Sequence, residues 1–293
     1  MHPSGPEKWN GFQLSSGASC LILFWRQTMT DIVISGALGR MGRAVLDSAR
    51  LEHEFAIVGL LEAPGHPALG ESVPVGDRKL MISTEMPRAP GAVIIEFTSP
   101  AATVERARAA ATGGNPLVIG TTGFSGEQMR ELEHAARKIP VVLSPNMSVG
   151  INILWSLIRE AVRAAGGDAD VEVIEVHHGG KKDAPSGTAL AIADVVAEAR
   201  GRKPRKDLKH GREGGSALRK AGEVGMHSVR AGDVIGDHTV MIALPGERLE
   251  LIHRAHGRDA FARGALRAAK FAAKAIPGLY RMADVLGLKG DAR

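Results

Sequence analysis

From Asp31 onward, short apolar runs rich in β-branched residues alternate with stretches whose apolar positions recur at helical spacing. Asp31 to Ser35 (DIVIS) reads as a strand running into glycine, with a helix from Met41 to about Glu52. Phe55–Leu61 (FAIVGLL), Ala92–Phe97 (AVIIEF), Leu117–Ile119 and Val141–Leu143 read as further strands. Helices are predicted over Ala101–Ala111 and from Ser125, where Gln128 three positions on completes a capping box. Near-continuously apolar strands separated by helices predict a parallel sheet covered on both faces.

After Asn146 the pattern changes. A long helix is predicted over Val149–Ala165, and Val171–Val176 then alternates apolar and polar positions. Ser186–Ala199 is helical in spacing, whereas Met226–Arg230, Val234–Leu244 and Leu249–His253 are strands with no helix between them. Such strands, joined by short glycine-containing turns, predict a more open sheet with one covered face. A last helix, about Ala260–Ala275, fits either half. The expected class is α/β: a Rossmann-type doubly wound parallel sheet plus an α+β domain with an open mixed sheet. A hinge is expected near Pro145–Gly150.

The 293 residues and 44% apolar content suit two ordinary domains or one large one. The single cysteine, Cys20, excludes an intrachain disulfide and a thiolate metal cage, and fits a reducing cytoplasm. A formal charge of +5 fits a protein with anionic small-molecule ligands at least as well as a nucleic-acid binder. The charge is concentrated in Arg200–Lys220, where only Asp207 and Glu213 oppose many Lys and Arg residues. With its glycines and no interleaved aromatic residue, this tract reads as a solvated loop rather than a base-stacking surface. No apolar run approaches the roughly 20 residues a membrane span needs. Residues 1–28 have no periodicity and only a short apolar run, Cys20–Trp25. They read as a poorly ordered extension, without the long apolar stretch of a signal peptide.

Between the first strand and first helix stands Ser35-Gly36-Ala37-Leu38-Gly39-Arg40-Met41-Gly42. Glycines there permit a tight turn and let backbone approach a pyrophosphate, which a helix N-terminus stabilises. The G-x-x-G-x-x-G spacing is a weak signal alone, and a glycine-rich packing turn has the same look. Two features favour a dinucleotide. The loop follows the first strand of a doubly wound pattern, and Glu62 ends the second strand about 20 residues on, where a ribose-binding acid belongs. Gly120-Thr121-Thr122, at another strand's C-terminal end, faces the same crevice.

The segment EVHHGGKKDAPSGTA (175–189) gathers His177, His178, Lys181, Lys182 and Ser186-Gly187-Thr188 at a helix start. Metal binding needs three or four ligands at suitable spacing, and no cysteine is near, so no metal is expected. Free N–H groups, hydroxyls, imidazoles and ammonium groups converging at one place suit an anionic substrate, a carboxylate above all, with proton transfer at hand.

These segments carry a resemblance. GALGRMG (36–42), GTTGF (120–124), SPNMSVG (144–150), HHGGKKDAPSGTA (177–189), VRAGDVIGDHTV (229–240) and GERLELIHRA (246–255) resemble the 4-hydroxy-tetrahydrodipicolinate reductase (dihydrodipicolinate reductase) family of bacterial lysine biosynthesis. The resemblance runs from about Met29 through MADVLGL (282–288). It implies a dinucleotide-binding domain built from 29–148 with 259–293, and a substrate and tetramerisation domain, 149–258, of a cytoplasmic homotetramer. It implies His177 as general acid/base, Lys181 as proton donor and His178 as a substrate contact, with Ser186, Gly187 and Thr188 holding a carboxylate of a dicarboxylate substrate. Gly36, Ala37, Leu38, Gly39, Arg40, Met41, Glu62, Gly120, Thr121, Thr122, Ser144, Pro145, Asn146 and Met147 would line the cofactor cleft. Both NADH and NADPH are expected as cofactors, with NADH favoured, because Ala63-Pro64-Gly65 follow Glu62 where many family members have a basic residue. An amino-acid dehydrogenase would share the glycine loop but has no need of HHGGKKDAPSGT. A dinucleotide-sensing, nucleic-acid-binding regulator would need a recognition element that the sequence lacks.

Overall fold

The computed structural model describes residues 29–167 and 169–288; the reading of residues 1–28 as an extension lies outside them. The apolar runs form the first sheet: β1 (Thr30–Ser35), β2 (Phe55–Leu61), β3 (Ser72–Val75), β4 (Arg78–Ser83), β5 (Val93–Glu96), β6 (Leu117–Ile119), β7 (Pro140–Leu143) and β13 (Gly278–Tyr280), in the order β13-β7-β6-β5-β1-β2-β4-β3. All neighbours are parallel except the β3–β4 hairpin.

Alternate strand residues face opposite sides, so these runs must be covered twice. Ile32, Ile34, Val93, Ile95, Val118 and Val142 pack on one side against α1 (Arg40–Arg50) and α6 (Asp259–Ala272). Val33, Ile94, Leu117, Ile119 and Val141 pack on the other against α2 (Pro100–Gly113) and α3 (Gly126–Ala136). The Ser125–Gln128 capping box that starts α3 is formed in both directions. The last helix, which the sequence left open, therefore belongs to the first sheet. The β3–β4 hairpin was not predicted: SVPV and RKLMIS sit at the edge, are mostly exposed, and lack a clean apolar alternation.

The second sheet has the order β12-β11-β8-β10-β9, from β8 (Asp170–His177), β9 (Leu208–His210), β10 (Val224–Arg230), β11 (Asp237–Leu244) and β12 (Glu247–Arg254). It is mixed, with β10 parallel to β8 and β11 antiparallel to it. Val171, Val173, Val240 and Ile242 pack against α4 (Val149–Ala165) and α5 (Gly187–Ala199) through Ile151, Leu154, Ile158, Ile192 and Val196. The other face is open: Ile252 on β12 and Val229 on β10 stand 46% and 42% exposed.

The basic tract differs from a freely solvated loop. It contains β9, and Arg212 pairs with Glu172 of β8 at 2.9–3.0 Å. Arg219 also bonds Glu172, Arg205 bonds Asp194 at 2.8–3.0 Å, and Arg202 bonds Asp207 at 3.0 Å. Glu172 and Asp194, distant in sequence, thus neutralise part of it, which charge counting along the tract does not reveal.

Candidate active site

The glycine loop is shaped by close approach. Gly36 takes a left-handed φ of +73°, and a Cβ there would lie 2.9 Å from the Phe97 carbonyl oxygen. A Cβ on Gly42 would overlap the Gly36 carbonyl oxygen and come within 2.7 Å of the Ala37 Cα, so α1 rests directly on the loop backbone. Gly39 caps α1 with no side-chain bond, leaving the N–H groups at Arg40 and Met41 without intrahelical partners. Just past β2, a Glu62 carboxylate oxygen accepts the Leu38 N–H at 2.6 Å. A loop that admits backbone contact, a helix start with open donors and an acid at the next strand end fit a dinucleotide. We expect Gly42→Ala to cost about 1–3 kcal/mol of stability by overpacking. NADH binding should weaken with it; an unchanged denaturation midpoint and an unchanged dissociation constant would refute this.

Gly120 is fixed by the same logic, since a Cβ there would run into the Phe97 ring. Thr121 Oγ1 accepts the Thr98 N–H at 3.2 Å and the Thr103 hydroxyl at 3.0 Å, lacing the ends of β5 and β6 together. Below them Glu96 is fully buried, and burial raises its pKa against the hydrogen bonds and the Arg106 charge that lower it. Thr122 is exposed.

In the loop after β7, the Ser144 hydroxyl donates to the Asn146 carbonyl at 2.8 Å, and Asn146 Oδ1 accepts the Ser148 N–H at 2.9 Å. Asn152 Nδ2 donates to both the Asn146 and Ser148 carbonyls. A Cβ on Gly264 of α6 would overlap the Met147 carbonyl oxygen, so α6 presses on this loop. Asn146 Nδ2 then donates to Thr188 Oγ1 at 3.1 Å. That bond joins the residues predicted for the cofactor to those predicted for the substrate.

The substrate-side residues converge at the end of β8. Strand alternation puts Glu175 and His177 on the covered face, where both are buried. His177 Nδ1 bonds the Glu175 carboxylate, so Nε2 is the nitrogen left to act on a ligand. A Cβ on Gly236 would lie 3.0 Å from that Nε2, so glycine leaves it room. Arg230 forks onto Glu175 at 3.0 and 3.1 Å, and the Ser186 N–H reaches it at 3.2 Å. Burial opposes the ionisation of Glu175, but these bonds, those from Arg230 above all, hold its pKa below the ordinary carboxylate value.

Ser186 is the N-cap of α5, and its hydroxyl accepts the Ala189 N–H at 3.1 Å. The N–H groups of Gly187 and Thr188 consequently have no intrahelical partners. His178 is half-buried on the same loop. Lys181 Nζ bonds both oxygens of Asp183 at 2.8–2.9 Å, and this bond is the main cause of the lowered Asp183 pKa. His238 of β11 faces His177 edge-on, ring centres 5.4 Å apart, with Nε2 3.2 Å from Ser186 Oγ. Burial first, and the His177 neighbour second, push its pKa down to about 3. Among the described residues, no group of three or more His, Cys, Asp or Glu is placed to hold a metal, and no helix is long and apolar enough to cross a membrane.

Two family models match nearly the whole described chain: "Dihydrodipicolinate reductase, N-terminus" over residues 30–147 and "Dihydrodipicolinate reductase, C-terminus" over 150–286. The chain belongs to the dihydrodipicolinate reductase family. It is 45% identical over 271 residues to the 4-hydroxy-tetrahydrodipicolinate reductase of Anaeromyxobacter dehalogenans strain 2CP-C, covering 89% of this chain and 99% of that one. With the Rubrobacter xylanophilus enzyme of the same name it shares 47% over 262 residues, covering 88% and 98%. A dihydrodipicolinate reductase structure from Paenisporosarcina sp. TG-14, with dipicolinate bound, superposes with a TM-score of 0.70 at 22% identity, covering 87% of this chain and 98% of that one. This last likeness speaks to the dihydrodipicolinate reductase fold.

Three residues that the sequence reading gave no role stand at the centre of this cluster: Glu175, Arg230 and His238. Glu175 was legible in principle, because it lies two positions before His177 on an alternating strand. Arg230 and His238 come from β10 and β11, and only the register places them opposite His177 and Glu175.

Proposed function

We propose that this member of the family reduces 4-hydroxy-tetrahydrodipicolinate to tetrahydrodipicolinate with NAD(P)H, in lysine (diaminopimelate) biosynthesis. The observation that carries the reading is the Asn146–Thr188 bond, which joins the loop after β7, at the same strand-end edge of the first sheet as the glycine loop, to the helix start beside His177. Loss of the hydroxyl as water leaves a conjugated cyclic imine with two carboxylates. The reduced nicotinamide, when bound, supplies hydride to the ring's C4.

The chain's own residues do the rest. Gly187 and Thr188 offer N–H groups, and Ser186 and Thr188 hydroxyls, to a carboxylate. His177 presents Nε2 for proton transfer, and the buried Glu175 at Nδ1 stabilises the imidazolium that forms. Lys181 donates a proton once it parts from Asp183, and His178 contacts the substrate. Gly36 to Met41, Gly120 to Thr122, and Ser144 to Met147 line the dinucleotide cleft, and Glu62 receives the adenosine ribose. We assign the first sheet with α6 and β13 (29–148 and 259–293) to cofactor binding and 149–258 to substrate binding. The open face of the second sheet suits assembly into a homotetramer, and the single cysteine suits a cytoplasmic enzyme.

The deciding assay offers freshly generated 4-hydroxy-tetrahydrodipicolinate with NADH or NADPH and follows loss of the reduced nicotinamide's near-ultraviolet absorbance. Turnover only with other keto acids would overturn the assignment. Within that assay we expect both cofactors to work, with NADH favoured by about 1–2 kcal/mol, roughly 5- to 30-fold in kcat/KM. Glu62 repels a 2′-phosphate, and the exposed Ala63 that follows offers no cation to attract one. The exposed Arg40 of the glycine loop leaves some cationic help for NADPH, so both cofactors are expected to work. Ala63→Arg should move the preference toward NADPH. A wild-type enzyme preferring NADPH would mean that Glu62 has been misassigned.

A further inference from the structure

His238 has no part in the proton transfers above, yet it is the side chain that touches Ser186. It stands opposite Glu175 in the β8–β11 register and is only 3% exposed. Its Nε2 lies 3.2 Å from Ser186 Oγ, while its buried Nδ1 has no hydrogen-bond partner among the described residues. Ser186 Oγ already accepts the Ala189 N–H. A serine hydroxyl has two lone pairs and one proton.

If Nε2 were the acceptor, the ring proton would sit on Nδ1, a buried N–H with nothing to bond. Orphaned buried donors are rare and costly, more so than an unused acceptor lone pair. The proton therefore belongs on Nε2, an assignment made from the bonding pattern. Both lone pairs of Ser186 are then occupied, and its own proton is left to point outward.

We propose that His238 is a positioning residue that, by donating from Nε2, makes Ser186 a dedicated hydrogen-bond donor to a substrate carboxylate. This rests on reading the start of α5 as the carboxylate site. The low pKa of the ring agrees with it: His238 stays neutral and adds no second cation beside His177. A neutral, buried ring fixes the direction of one hydroxyl without competing for the anion.

The test measures the dissociation constant of pyridine-2,6-dicarboxylate for the full-length, NADH-saturated protein by calorimetry. Ser186→Ala and His238→Leu should each weaken binding about tenfold, and the double variant should be no more than about twofold worse than Ser186→Ala alone. NADH affinity should not change in any of them. His238→Gln, whose amide nitrogen reaches the place of Nε2, should bind within about threefold of wild type, whereas the shorter His238→Asn should not. Wild-type binding by His238→Leu, or losses that multiply in the double variant, overturns the proposal. Should the leucine variant not fold, equal binding by the glutamine and asparagine variants overturns it instead. Wild-type binding by Ser186→Ala would sink the carboxylate site itself, a failure distinct from that of His238.

Discussion

His177→Ala and Lys181→Ala are each expected to lower turnover by about 10²-fold or more, the usual scale of lost acid–base catalysis, with NADH affinity near wild type. The two should differ in a way the geometry dictates. His177 is buried between the Glu175 carboxylate and Gly236, so its loss leaves Glu175 facing a cavity. Lys181 pairs with Asp183, and their side chains are 19% and 64% exposed, so its removal should move the melting temperature less than that of His177. Steady-state kinetics with a dinucleotide titration checks both, and near-normal turnover in both variants would end the assignment of proton transfer to this loop.

Glu175→Ala should have the largest effect on stability. One buried carboxylate receives the Arg230 guanidinium, the Ser186 N–H and His177 Nδ1. Removing it strands the Ser186 N–H and His177 Nδ1 and leaves the Arg230 cation with backbone carbonyls but no counter-charge, and breaking such a pair from one side costs about 3–5 kcal/mol. At about 2–4 °C per kcal/mol for a chain of this size, the melting temperature should fall by roughly 10 °C. Turnover should fall with it, as the imidazole loses its orienting partner. The sign with pH follows from the lowered Glu175 pKa. The wild-type contribution is present above the ordinary value of 4.5 and is lost as pH falls from there through the folded-state value. The variant should therefore show a flatter acid limb in its stability profile. A melting temperature within a few degrees of wild type, with the acid limb unchanged, would mean that Glu175 is dispensable.

Much of this architecture could be read from the chain because its signals are local. Phe55–Leu61, Leu117–Ile119 and Val149–Ala165 form the elements their periodicity predicted, and Ser125 and Gln128 make the expected cap. The glycine loop and the HHGGKKDAPSGT segment were visible because each packs its chemistry into a few consecutive residues. What escaped was short or assembled from distant parts. β13 and β9 are three residues long and, unlike Leu117–Ile119, hold no fully buried apolar run, and the β3–β4 hairpin is mostly exposed. Arg230 and His238 reach the site through strand pairing, and Arg212 and Arg219 find Glu172 across the second sheet. Lys181, read as a proton donor of the site, is held by Asp183, because a two-residue separation across a turn brings their ends together.

The place of β13 bears on how the chain assembles as a ribosome delivers it. β7 is made before any of the second sheet, yet its outer neighbour β13 and the covering helix α6 are made after all of it. Until then the nascent first sheet has an open edge at β7, and Ile34, Ile95 and Val142 lack the α6 face that buries them. An unpaired strand edge beside uncovered apolar surface is what captures other chains. Ribosome-stalled chains ending before Asp259 should accordingly need chaperone protection that the finished chain does not.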